Sequence, residues 1–131
     1  MANTDIRVTI SDLQGEYKKV IAELARTVFH ELRESTPVIT GWTKNQWRVS
    51  KSAPNGTVNG SPSGGFRDLT EEGEQVAREI IFGSHQIKQI HFTNNAPHIN
   101  FLNDGFGKQA PAGFVQAAAA RGVEKVRSMN L

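Results

Sequence analysis

Between Leu13 and Leu32 the apolar residues fall at steps of three and four: Leu13, Tyr17, Val20, Leu24, Val28 and Leu32, with Ile21, Ala25 and Phe29 widening the stripe. That is the period of a helix buried along one face. Ser11-Asp12-Leu13-Gln14 has the form of a capping box ahead of it. Pro37 pushes Thr36 out of the helical region. A helix over about residues 12–35 is therefore expected, roughly 36 Å long at about 1.5 Å per residue, with Gly15 weakening its first turn. Lys18, Lys19, Glu23, Arg26, Glu31 and Glu34 mostly fall away from the stripe.

Elsewhere the spacing changes. Ile6, Val8 and Ile10 alternate with Arg7 and Thr9, which reads as a short strand. From Asn45 to Ser52 the period is again two, with Trp47 and Val49 on one side and Gln46, Arg48 and Ser50 on the other. Residues 53–65 hold two Asn-Gly pairs and two prolines and cannot bury a core face, so 53–67 reads as turns or a mobile loop. A second helix is expected from about Thr70 to Phe82, with Val76, Ala77, Ile80 and Ile81 as its apolar face and Gly83 as its stop. Ile87 to Thr93 reads as a strand with Ile90 and Phe92 on one face. A last helix is expected to open near Pro111 and run through Phe114, Val115 and the alanine run 117–120 to about Arg127, with Gly122 allowing close backbone approach. The order of elements predicts an α+β fold, a long N-terminal helix and further helices packed on a small antiparallel sheet. At 131 residues the chain reads as one domain.

Composition narrows the chemistry. There is no cysteine, which excludes disulfide staples, thiolate zinc sites and cysteine nucleophiles. No apolar stretch approaches the roughly 20 residues of a membrane-spanning helix, and the N-terminus has no secretory pattern, so a reducing cytoplasm is the expected place of synthesis. The net charge of +2 conceals blocks: Lys44, Arg48, Lys51 and Arg67 stand without an acid over residues 36–67, and Asp68, Glu71, Glu72, Glu74 and Glu79 follow against Arg78 alone. Such blocks complement one another within a fold or between copies, and acids also favour a helix start.

Neither a catalytic nor a metal constellation is expected. His85, His91 and His98 have no zinc-site spacing, and His30 falls on the first helix. Glu71, Glu72 and Glu74 are accounted for by the helix dipole, and Asp104-Gly105 by a turn. No nucleophile elbow, phosphate-cradling glycine loop or His-Glu-x-x-His helix occurs. No cofactor is implied. Trp42, Lys44, Trp47, Arg48 and Lys51 interleave aromatics with cations, the mix that serves nucleic-acid contact, which makes nucleic-acid binding by residues 42–51 the alternative reading.

Two segments carry a further signal. Thr36-Pro37 with Thr40-Gly41 leads to Trp47; later, Asn94-Asn95 and Pro97 are followed by Gly105 and by Gln109-Ala110-Pro111 with Gly113. Their order and spacing resemble the tail-completion or neck family of tailed bacteriophages, the minor tail protein Z type. His98-Ile99 stands where that family has a Tyr-Ala step, and Asn103-Asp104 where a glutamate often precedes the glycine. The resemblance covers most of residues 12–127. It implies a non-enzymatic virion protein of the head–tail junction, assembled in the bacterial host cytoplasm. Such a protein forms a ring, expected to be hexameric, that joins the tail to the head connector around the DNA channel. Implied partners are further copies of the chain, a tail terminator or tail tube protein, head connector or adaptor proteins, and genomic DNA touched non-specifically; no membrane is implied. The thirteen motif residues are then expected at subunit interfaces or structural joints.

Overall fold

The structure is a computed structural model that describes residues 5–11, 13, 17–37, 41–83, 87–106 and 110–131. Strand β1 (Ile6–Ile10) precedes helix α1 (Lys18–Ser35). A 3-10 turn at Lys44–Gln46 leads into β2 (Arg48–Ser50), and α2 (Glu72–Phe82) follows the long loop. After β3 (Ile90–Asn94) come a single helical turn, α3 (Ile99–Phe101), a wide turn at Leu102–Phe106, and α4 (Phe114–Arg127). The fold is α+β, as the order of periodicities predicts.

The sheet is antiparallel with order β1-β3-β2. Its register sets Val8 and Val49 opposite Phe92, and Ile10 opposite Ile90. One face of the sheet is therefore apolar, and it joins the core formed with α1, α2 and α4. The other face carries Arg7, Thr93 and Arg48 in one cross-strand row and Thr9, His91 and Ser50 in the next. Helix α1 is the hub: Ile21, Leu24, Ala25, Val28, Phe29 and Leu32 are all buried, and α2 and α4 both pack on it.

Glycines set the closeness of these helix pairs. A β-carbon at Gly122 would lie 2.9 Å from the Val28 Cα, and one at Gly73 would lie 2.8 Å from the Phe29 ring. The close approach expected of Gly122 is thus made against α1. Polar groups clasp the same seams. On the α4 side, Glu31 of α1 is paired with Lys125 and Arg121. On the α2 side, Arg26 reaches Glu74, and Lys18 reaches the Gly83 carbonyl.

Several expected boundaries move. The first helix begins at Lys18, because Tyr17 is extended (φ −71°, ψ 144°), and Leu13 is not helical but donates its N–H to the Lys88 carbonyl. Tyr17 consequently lies outside the stripe, at 80% exposure. Asp12, Gln14 and Gly15, which belong to the expected capping box and first turn, lie outside the described residues. The strand expected over 45–52 shortens to three residues, because Asn45 N–H bonds back to Gly41 and Gln46 N–H to Thr43, closing a turn instead. Asparagine favours such local closure. On α2 the buried face is Gly73, Val76, Ala77 and Ile80, the i, i+3, i+4, i+7 series, which leaves Ile81 exposed. Gly83 ends that helix in an extended conformation (ψ 158°) and not in a left-handed cap. Residues 87–89 precede β3 without strand pairing, and Asn94 belongs to the strand. Pro111 sits in a turn ahead of α4, because Gly113 at φ 77° cannot be helical.

Candidate functional site

The two motif segments, some fifty residues apart in sequence, meet at one end of the sheet. Thr36 closes α1: its hydroxyl donates to the Leu32 carbonyl (2.7 Å) and accepts from the Trp47 indole N–H (2.8 Å). Pro37 follows, half-buried. Gly41 takes a positive φ (86°), and its carbonyl accepts both from the Asn45 backbone and from the Asn45 side chain (2.9 Å). Trp47 is fully buried. From the second segment, the Asn94 Nδ2 donates to the Thr43 carbonyl at 2.9 Å, and its Oδ1 accepts from the Ala96 N–H. Asn94 thus ties the end of β3 to the turn that introduces β2. Asn95 donates to the Gly56 carbonyl, and Pro97 is exposed in the turn before α3.

The remaining motif residues form a second joint. Gly105 has φ 92°, and a β-carbon there would lie 2.9 Å from that of Ala112, so the wide turn folds back on the approach to α4. Gly113 donates to the Asn103 carbonyl (2.7 Å). The Asn103 Oδ1 accepts from the Val115 N–H (3.0 Å), supplying the N-cap oxygen that glycine lacks. Ala110 is half-buried and Pro111 exposed. Thr40, Gln109 and His85 lie outside the described residues. The motif residues that are described act as backbone joints and buried anchors; they do not converge on a pocket.

A set of amide side chains missed at the sequence level organises the loop between β2 and α2. The Asn59 Oδ1 accepts from the Arg67 N–H and its Nδ2 donates to the Arg67 carbonyl, pairing with that residue as a strand would. The Gln46 side chain does the same to Asn59 itself, accepting from its N–H and donating to its carbonyl, both at 2.8 Å. The Trp42 indole donates to the same carbonyl. The Asn45 Oδ1 receives the Leu69 N–H and the buried Arg33 guanidinium. Residues 53–65 add no apolar side chain to the core, although Phe66 just beyond them packs against it, and their middle is fastened through Asn59. Sequence offers one signal for this, Asn59 beside Gly60 (φ 66°), and that pair reads equally well as an ordinary turn.

Electrostatics follow the same geometry. The charge blocks complement each other within the chain: Arg48 binds Glu72 at 2.9 Å, Lys51 binds Glu79 at 2.8 Å, and Arg33 reaches Asp68. Burial pushes the Glu72 carboxyl above its ordinary range against the pull of Arg48, and the same carboxylate accepts from the Val49 N–H. Helix α2 in this way occupies the outer edge of β2, where a further strand would otherwise pair. Burial lowers the Arg33 guanidinium. The Lys51 hydrogen bond holds the Glu79 carboxyl low, and that of Lys125 does so for Glu31. With Trp42 and Trp47 buried and Arg48 and Lys51 paired, the 42–51 segment offers no open ring face for stacking on bases. Large apolar side chains do stand in solvent elsewhere, Tyr17 and Phe82 (82% exposed) among them. The Lys18–Gly83 contact places both at the same end of the α1–α2 pair. Among the described residues no group of three or more histidine or acidic side chains is arranged to hold a metal ion. Comparison of the chain with protein-family models, with curated proteins and with solved structures finds no significant match.

Proposed function

We propose that this chain is a structural subunit of a tailed-phage neck, a tail-completion protein that works by assembling into a ring between tail and head connector. The observation that carries the reading is the order and spacing of the two motif segments, Thr36 to Trp47 and Asn94 to Gly113. Asn94 joins them through the Thr43 carbonyl, so the residues behind the resemblance are also partners in the fold. Exposed Tyr17 and Phe82 at one end of the helix pair, with Ile81 beside Phe82, supply apolar area of the kind that subunit contacts use. A ring built head to tail needs two different surfaces on each copy, and a domain with helices on one sheet face and a loop-covered polar row on the other presents different surfaces by construction.

The test is mass spectrometry of purified virions together with the solution mass of the isolated protein. About six copies per particle is the expected result; absence from particles overturns the proposal. DNA affinity with a steep salt slope, alongside absence from particles, would move the function to nucleic-acid binding.

A further inference from the structure

The outer face of the sheet is covered by the chain's own loop, and the fit is incomplete. Arg48 projects from this face by strand alternation and Asn95 directly follows the last residue of β3; both bond to loop carbonyls, Arg48 Nε to Thr57 (3.4 Å) and Asn95 Nδ2 to Gly56. The stretch from Ala53 to Val58 therefore lies across the sheet beside Thr93 as a strap. Its near end is held by the Ser50 hydroxyl on the Ala53 carbonyl, and its far end is fixed by Asn59. None of its own side chains is buried, and Val58 is 55% exposed. Beneath it, His91 (6% exposed) and Thr93 (1% exposed) each bury a polar atom, Nε2 and Oγ1, that has no hydrogen-bond partner. Buried polar groups are almost always paired, and each one left unpaired destabilises the state that buries it. At the strap's root an open cleft of about 480 Å³ remains between Arg48, Thr57 and Val58 on one side and Phe66 and Arg67 on the other.

We infer that residues 53–58 form an exchangeable strap, and that the Arg48–His91–Thr93–Asn95 face is the seat for the same strap of a neighbouring copy. The occupant follows from complementarity already present in one chain: the carbonyls that Arg48 and Asn95 recognise belong to this sequence, so a neighbour's strap offers them in the same spacing. Exchange of an identical element is a low-cost route to assembly, because the contacts broken and formed are alike. The exchanged strap differs from the resident one only at its root: it does not spring from the Ser50 of the chain that seats it, which leaves it free to settle onto the His91 Nε2 and the Thr93 Oγ1 that the resident strap leaves unpaired. The inference rests on the ring reading and names one of its contact surfaces.

A chain without cysteine makes the test clean. One population carries Gly56→Cys, a position where a β-carbon meets nothing within 4 Å, and a second carries Asn95→Cys. Mixed, assembled and treated with a short bis-maleimide, they are expected to give a cross-link between chains from position 56 to position 95. The doubly substituted chain, diluted to monomer, is expected to close the same cross-link within itself. Oligomers that form while the 56–95 cross-link stays entirely within chains would overturn the strap exchange and leave the ring reading standing. A wild-type chain that stays monomeric at millimolar concentration would overturn both.

Thr93→Val gives an independent readout. It is expected to leave the monomer's melting temperature unchanged or raised, and to weaken self-association at least tenfold. Unchanged association would overturn the inference. So would a lowered monomer melting temperature, which would mean that the hydroxyl is already satisfied at home, for instance by an internal water.

Discussion

The two seams of α1 and the loop between Gly41 and Leu69 solve the same problem by opposite means. At the seams, backbone comes close to backbone because glycines remove a side chain: Gly122 against Val28, Gly73 against Phe29. Apolar stripes fill what remains, and the polar clasps sit at the margin. In the loop the apolar anchors stand at its two ends, Trp42, Trp47 and Val49 before it and Phe66 and Leu69 after it, and between them amide side chains stand in for strands, with Gln46 pairing to Asn59 and Asn59 to Arg67. The first kind of contact is strong in aggregate and tolerant in detail. The second is directional, and each member left alone costs the desolvation of a buried polar group. The seams should thus resist most changes except added volume, and the loop should resist most changes except loss of a particular amide.

Trp47 belongs to both regions, and its removal carries the largest expected effect. Its ring is wholly buried in the core and its indole N–H is bonded to Thr36. Trp47→Ala is expected to cost about 3–5 kcal/mol, read as a lowered urea midpoint. Trp47→Phe keeps most of the volume and strips the Thr36 hydroxyl of its donor, so it should cost clearly less. Equal losses for the two variants would assign the residue's weight to the hydrogen bond and not to packing.

Gly122→Ala comes next. Its new methyl meets the Val28 backbone, which cannot rotate away, and overpacking of this sort costs about 1–3 kcal/mol. Gly56→Ala adds the same methyl to open space and should leave the melting temperature where it was. A Gly122→Ala protein as stable as wild type would mean that α1 and α4 can separate without loss, against the seam as described.

Asn59→Ala tests the other region. It removes three side-chain hydrogen bonds at once, one to Asn45 and two to Arg67, while Gln46 still reaches the residue's backbone. The cost should be on the order of 1–2 kcal/mol globally, with a larger local effect. Amide exchange over residues 59–69 should accelerate well before the helices open. Uniform acceleration across the chain would show that the loop and the helices form one cooperative unit.

The contrast also explains what could be read from sequence. Val28, Leu32, Val76 and Ile80 announce themselves by period, because a helix face repeats every three or four residues and burial demands apolar side chains there. The α+β class follows from that period taken together with the alternation at Ile6–Ile10, 45–52 and 87–93. Tyr17 and Ile81 misled because each continues a spacing without lying on the buried face: Tyr17 precedes the first helical residue, and Ile81 stands one residue past Ile80. Asn45, Gln46 and Asn103 carried no legible signal, and Asn59 only the ambiguous one of standing beside Gly60. A side-chain amide that replaces a strand partner has no period, and its partners lie up to 24 residues away. Thr36 and Asn94 were legible as ends of elements and Gly105 as a turn, but that they belong together with Gly41 and Gly113 was legible only through a resemblance. The structure gives the physical reason they matter locally: three positive-φ glycines, one of them also crowded, and polar side chains that close an end of the sheet.

The smallest effect expected is electrostatic, and it separates the two regions by sign. At the α1–α4 seam, hydrogen bonds from Lys125 and then Arg121 hold the Glu31 carboxyl low. A depressed carboxylate contributes stability that is complete above the unfolded glutamate value of about 4.3, and that contribution is lost as pH falls through the lower folded value. Burial raises Glu72 beside β2, so its contribution has the opposite sign: it favours the fold in acid and fades as pH rises through the elevated folded value. Lys125→Met should therefore cost up to about 1 kcal/mol at pH 7, the lysine being more than half exposed. Its urea midpoint should converge on the wild-type value as Glu31 protonates. Glu72→Gln keeps a hydrogen-bond acceptor for Arg48 and Val49 while removing the buried charge, so its midpoint relative to wild type should be least favourable in acid and improve toward neutrality. Parallel pH curves for wild type and Lys125→Met would mean that the Glu31 clasp is formed in the fold without contributing to it.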